Sequence, residues 1–236
     1  MENSVSVYSP TSEERKLFLA RTYGWMGIAL LVSAASAVLA AYSGLILSLL
    51  RATGGLGMIA LIIAELAVVI ILSSSIRKIS VLKAKAMFLL YAALSGLTLS
   101  TIFFVYRLSS VGSCFISASA LFFVMAAYGM KTKSDLTSAG SYLRMGLIGI
   151  IIASLINGLM FMLGFGSGMF SWLISLVSVV VFTGLTAYDS QKILRASLRA
   201  DSSDDYRKIA IFGALELYLD FINIFLSLLR LFGKRR

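Results

Sequence analysis

The chain has 236 residues, of which 59% are hydrophobic, with a net charge of +10 and a mean hydropathy of +0.93. Soluble domains are about 45–50% apolar, so this composition excludes an ordinary soluble fold; at ~20 residues per crossing of the bilayer core it fits about six to eight spans and no separate soluble domain. The lack of histidine and the single cysteine, Cys114, exclude a histidine-based triad, histidine-ligated metal chemistry and an intrachain disulfide.

Residues 1–22 are polar and charged and are expected to form a cytosolic N-terminal tail. No small-residue cleavage pattern follows a short apolar core, so the whole chain is expected to be retained. Seven apolar segments follow, at 23–50, 56–76, 84–106, 112–130, 145–164, 170–193 and 209–232. Together they define a transmembrane domain at 23–232, with a basic tail at 233–236. Runs of this length without two-residue alternation predict helices, and only helices or closed barrels can satisfy their backbone in lipid. Cys114 and the small residues of the first segment (Ser33, Ala34, Ala35, Ser36, Ala37, Ala40, Ala41) and of the fifth (Gly146, Gly149, Ala153) are read as helix-packing positions.

The basic residues lie in the short gaps between apolar segments, where they meet lipid head groups. This argues for membrane orientation and against nucleic-acid binding. Fifteen of the 21 Lys and Arg residues fall on the side of the N-terminus and six on the other, which places the N-terminus in the cytosol. The C-terminal tail conflicts with that count. Seven full spans put Arg230, Lys234, Arg235 and Arg236 outside, whereas a re-entrant or incomplete last segment returns them to the cytosol.

Four of the eleven acidic residues fall inside apolar segments: Glu65, Asp189, Glu216 and Asp220. An acid at mid-membrane costs about 2.5–3.5 kcal/mol on insertion scales and usually marks function. Gly213, Glu216, Asp220 and Asn223 share one stripe of the last segment. A polar stripe on an otherwise apolar helix predicts that this helix is central, wrapped by the others. Asp189 ends the sixth segment with Thr186 one turn before it. Short loops make the sixth and seventh helices antiparallel neighbours, so Asp189 and Asp220 can approach. Two carboxyls in contact at low dielectric hold a shared proton; deprotonated, their oxygens suit Ca²⁺. Glu65 lies mid-span in the second segment as a pore-lining candidate. Arg77, at that segment's end, is either an orientation charge or a cation that competes for the aspartates.

Four stretches carry a resemblance: YGWMG at 23–27, KTKSDLT at 131–137, FTGLTAYD at 182–189 and GALELYLDFIN at 213–223. With the seven-segment plan, they resemble the transmembrane Bax inhibitor motif family over nearly the whole chain. The resemblance implies an all-α membrane protein with two three-helix layers around a central C-terminal helix. It also implies a proton-sensitive calcium leak gated by an aspartate pair, matched here by Asp189 and Asp220, with Arg77 the best match to a latch of the closed state. Glu216 and Asn223 then support the pair, and Ca²⁺ is cargo, with no cofactor expected. The short tails and loops resemble bacterial members, so a bacterial inner membrane is expected, and relatives there point to a membrane-bound AAA protease as a candidate partner.

Three rival readings remain. A proton-coupled cation exchanger differs from a leak in driving opposing proton flux, and a non-conducting regulator passes nothing. An intramembrane aspartyl protease needs Gly-x-Gly before its second aspartate, but Leu217, Tyr218 and Leu219 precede Asp220, and Pro10 is the only proline. No enzymatic activity is therefore expected.

Overall fold

The computed structural model describes residues 10–76, 78–199 and 203–236. These form α1 (Ser12–Tyr42), α2 (Leu45–Thr53), α3 (Leu56–Ser75), α4 (Val81–Leu99), α5 (Ile102–Val105), α6 (Leu108–Lys131), α7 (Thr137–Met162), α8 (Gly168–Ser197) and α9 (Asp204–Phe232). Seven are membrane spans by length and apolarity, with α4 and α5 together making one of them. The chain is an all-α membrane protein.

Helix boundaries depart from the sequence expectation where polar capping residues act. The predicted tail at 1–22 is helical from Ser12, because Thr11 and Glu14 close a capping box: the Thr11 hydroxyl accepts from the Glu14 amide at 3.2 Å, and the Glu14 carboxylate accepts from the Thr11 amide at 2.8 Å. The extension is anchored by buried Phe18, whose ring meets Tyr206 edge-on at 6.4 Å. The first apolar segment, expected to run unbroken over 23–50, breaks at Gly44, whose left-handed φ of +67° ends α1. Its remainder becomes α2, whose nine residues span only ~14 Å and cannot cross the bilayer. Ser80 caps α4 and starts it three residues before the expected 84, and α9 begins at Asp204 instead of 209.

Helix α9 lies at the centre. In its most apolar stretch 61% of residues are buried, against 33% or less in every other span. It packs against α1 and α4 on one side and against α6 and α8 on the other. Outside these, α3 packs on α4, and α7 packs on α8. The result is α1, α3 and α4 in one group and α6, α7 and α8 in the other, with α9 between them, as the sequence resemblance implied. The outer helices α3 and α7 bury only Leu72 and Gly140 and present rows of Leu, Ile and Met outward. Such apolar surface suits lipid and would drive aggregation in water.

The small-residue expectation holds for Ser33, Ala37 and Ala40, which are buried in α1, while Ala34 and Ala35 face outward. In α7 it holds for Gly146, where a methyl group would meet Val181 of α8 at 3.2 Å, and fails for Gly149, where one would meet nothing within 4 Å. The tightest crossing is instead Gly129 of α6 against the backbone of Ala187 in α8.

The last segment is a full span. Its C-terminal tail folds onto the junction of α5 and α6: the Arg107 amide donates to the Lys234 carbonyl at 3.0 Å, and the Arg236 amide donates to the Val105 carbonyl at 3.1 Å. The tail therefore lies at the bundle end opposite the start of α1, and the re-entrant alternative is corrected. These backbone bonds tie the four positive charges to that end against the general charge bias.

The crossing at Gly129 generates a test. Gly129→Ala is expected to cost about 1–3 kcal/mol through overpacking and to lower the thermal midpoint of the detergent-solubilised protein. Gly149→Ala is expected to be neutral or slightly stabilising, because alanine is the better helix former.

Candidate functional site

The polar stripe of α9 meets the C-terminal third of α8. Both expected aspartates are buried, with Asp189 7% and Asp220 3% exposed. Asp220 lies within electrostatic reach of Asp189 and Glu216 and beside Thr186. The Thr186 hydroxyl itself donates to the Phe182 carbonyl at 2.8 Å, one turn back. The structure thus joins Asp189, Asp220 and Glu216 into one three-carboxyl cluster.

The cluster has a resident cation that sequence reasoning missed. Lys192 Nζ lies 2.5 Å from Glu216 Oε1 and 3.7 Å from Asp189 Oδ1, and 5.5 Å from the Phe212 ring centroid. With the sixth segment ended at 193, Lys192 counts as one more orientation charge at a loop. The signal was its spacing: three residues after Asp189, it shares that residue's helix face. Arg144 of α7 is a second cation in electrostatic reach of Asp189 and Glu216, and its guanidinium lies 5.5 Å from the Tyr188 ring.

Two carboxylate oxygens are left over. Asp220 Oδ2 and Glu216 Oε2 are buried and make no hydrogen bond among the described residues. Buried polar atoms are normally satisfied, so these two mark a place for a proton, a water or a cation. Among the described residues no three His, Cys, Asp or Glu side chains form a ready metal cage. A cation here meets carboxylates that must first rearrange or part from Lys192.

The remaining expected residues lie elsewhere. Asn223 is half-buried and donates to the Leu219 carbonyl at 2.8 Å, a bond within α9. Glu65, on the outer helix α3, accepts from Thr98 of α4, on the other side of α9 from the cluster. It reaches electrostatically toward Tyr91 and Tyr218, and the Tyr218 hydroxyl is 2.7 Å from Ser33 Oγ. Glu65 thus belongs to a second polar group. Arg77 lies outside the described residues.

The loop at 131–137 acts on the cluster indirectly, by clamping the last turns of α8. The Gln191 amide group accepts from the Leu136 amide at 2.9 Å and donates to the Ser134 carbonyl at 2.8 Å. Asp135 pairs with Arg195 at 2.5 Å, and Arg195 also donates to Thr137 Oγ1 at 3.0 Å. Gln191 and Arg195 flank Lys192 in sequence, so the loop fixes the helical turn that carries the ammonium. On the other flank the Tyr23 hydroxyl donates to Ser190 Oγ at 3.2 Å.

The Thr137 hydroxyl and then Arg195 hold the Asp135 carboxyl down at about 2, below its ordinary 3.8. A depressed carboxylate contributes stability that is complete above its unfolded value and is lost as pH falls through its folded one. The clamp is therefore intact above about pH 4, and weakens only between there and about pH 2. A response near neutral pH has to come from elsewhere. Asp135→Asn is expected to speed amide exchange at 134–137 roughly two- to fivefold at pH 7, in line with a weak exposed pair. The wild type is expected to lose the same protection, measured relative to the intrinsic exchange rate at each pH, only as pH falls from about 4 to about 2. Exchange mass spectrometry measures both.

Comparison with known proteins agrees with this architecture. The family described as inhibitor of apoptosis-promoting Bax1 matches residues 15–236. The chain is 47% identical over 221 residues to the inner membrane protein YbhL of Escherichia coli, covering 93% of this chain and 92% of that one. It is 44% identical over 220 residues to a protein of Borreliella burgdorferi, covering 93% and 92%. A protein of Deinococcus radiodurans is 36% identical over 236 residues, covering 100% of this chain and 98% of its own.

Proposed function

This chain belongs to the Bax inhibitor-1 family, and we propose that it is a pH-sensitive calcium leak of a bacterial inner membrane whose gate is the Asp189–Asp220–Glu216 cluster with Lys192. The observation that carries the reading is the pair of leftover buried oxygens, Asp220 Oδ2 and Glu216 Oε2, beside a single ammonium.

Charge count supports it. Three carboxylates share one ammonium in contact and the Arg144 guanidinium farther off, so the cations fall short of the acids, a costly arrangement inside a membrane protein. Protons or a divalent cation can compensate them. With protons bound, the site is neutralised and closed to cations. With Ca²⁺ bound, hard carboxylate oxygens replace part of the ion's hydration shell. Lys192 competes directly with either, because its Nζ already occupies the space between Glu216 and Asp189.

Arg77 enters the proposal as the latch implied by the family resemblance, and Lys192 as a cation seated in the gate itself. Glu65 is proposed as a second polar station along the route, separate from the gate. The positive-inside bias places the start of α1 in the cytosol, so the cluster lies toward the cytosolic half.

Calcium flux into liposomes holding the purified protein, followed across pH, tests the reading. Asp189→Asn and Asp220→Asn are each expected to abolish or displace the pH response, and the double variant to add little, because coupled groups are not additive. Lys192→Gln is expected to raise basal leak at fixed pH by more than Arg77→Ala does. Glu65→Gln is expected to lower flux without moving its pH dependence. Calcium flux that drives proton counterflow identifies an exchanger. No flux at any pH leaves the regulator reading, with a membrane-bound AAA protease as its partner. Wild-type pH dependence in both aspartate variants contradicts the shared gate.

A further inference from the structure

At the bundle end that carries the start of α1, a cavity of about 300 Å³ opens between α1, α4 and α9, lined by Arg21, Trp25, Lys85, Arg207 and Ala210. It lies at the lower end of the size range of small-ligand sites. Three of its five lining residues are cations contributed by three different helices. Lys85 is one turn into α4, and Arg207 is in the first turn of α9. The floor is aromatic, with Lys85 Nζ 5.0 Å from the Trp25 ring centroid. Edge-on packing of Phe18 on Tyr206 at 6.4 Å holds the α1–α9 crossing beside it.

The charge is largely uncompensated. Arg207 pairs with Asp204 at 3.4 Å, whereas among the described residues neither Arg21 nor Lys85 forms an ion pair. Arg21 and Lys85 are half-buried, so they are not freely solvated surface charges. With Arg207 paired to Asp204, the Arg21 and Lys85 charges still converge on the cavity and repel one another until a further anion enters. Guanidinium groups offer paired donors that match phosphate oxygens, an ammonium adds a point charge, and tryptophan is the residue of the membrane–water interface.

We propose that this cavity binds the phosphate group of an anionic ligand. Its place at one end of three spans, where a bilayer's head groups meet water, points to a phospholipid head group. Basic pockets between spans hold such head groups by this chemistry. The site is separate from the acidic gate, so its occupancy does not depend on ion conduction.

Trp25 serves as the reporter, since Trp172, the only other tryptophan, is on the outer surface of α8 at 46% exposure and can be replaced. Full-length Trp172→Phe protein is reconstituted in phosphatidylcholine vesicles with rising mole fractions of dibrominated phosphatidylglycerol or of dibrominated phosphatidylcholine, or is titrated there with inorganic phosphate. Trp25 is expected to be quenched by the anionic lipid at fivefold lower mole fraction or better than by the zwitterionic one. Arg21→Gln and Lys85→Gln are each expected to weaken that preference about fivefold, the factor that ~1 kcal/mol per basic residue represents; Arg21→Lys and Lys85→Arg retain most of it and control for misfolding. Quenching by the anionic lipid that is unaffected by inorganic phosphate identifies the lipid as the source. Inorganic phosphate that shifts Trp25 emission and removes the lipid's advantage identifies a soluble phosphate anion. Equal quenching by both lipids with no response to phosphate, or a preference that survives both glutamine substitutions, overturns the proposal.

Discussion

The organisation of this protein depends on the cost of keeping carboxyl groups in a membrane. Glu216 and Asp220 sit on α9, where an exposed position in lipid would be prohibitive for either. Surrounding α9 with α1, α4, α6 and α8 removes that exposure. The centre of the bundle is thus set by a polar stripe as much as by the apolar residues around it. Between helices in lipid, apolar side chains gain little by meeting one another, since the tails are equally apolar. Close approaches such as Gly129 on the Ala187 backbone, and polar contacts such as Ser33 with Tyr218, supply the specificity instead.

Once enclosed, the acids need compensation, and the fold supplies less than they require. Lys192 forms ion pairs with two of them and Arg144 lies farther off, while Asp220 forms no ion pair among the described residues and sits beside Thr186 and its acidic neighbours. A fully satisfied ion network would make a rigid structural core. This one keeps leftover acceptor oxygens and a lysine that is 41% exposed on one side. A partly compensated cluster, reached from one bundle end by a long flexible side chain, is the arrangement that the proposed trade of protons and cations requires. The loop at 131–137 sets where that lysine stands by gripping Gln191 and Arg195 on either side of it. Sequence change in the loop would therefore act on the proposed gate without touching Asp189, Asp220 or Glu216.

Much of this was legible in the sequence because lipid leaves few options. Seven apolar runs, a stripe at 213, 216, 220 and 223, and two acids in neighbouring segments lead to the seven spans, the central helix and the Asp189–Asp220 approach. Features set by single polar atoms were harder to read. The capping box at Thr11 and Glu14 turned part of a presumed tail into helix, and Gly44 split the first apolar run. Lys192 looked like a loop charge because a helix end can shift by a turn with little change in hydropathy. Asn223 shared the stripe yet made its bond within its own helix, which periodicity cannot distinguish from a long-range contact. The side on which the C-terminus lies came from backbone pairing with Val105 and Arg107, a contact between distant segments.

The central claim is that Asp189, Asp220 and Glu216 form one unit in which protons and Ca²⁺ compete. Calorimetric titration of the purified protein with Ca²⁺, in buffers of different ionisation enthalpy at one pH near neutral, counts the protons released per ion bound. The account requires a net proton release in the wild type that falls when either aspartate is replaced by asparagine. Calcium binding without proton release, or a release unchanged in both variants, would contradict it.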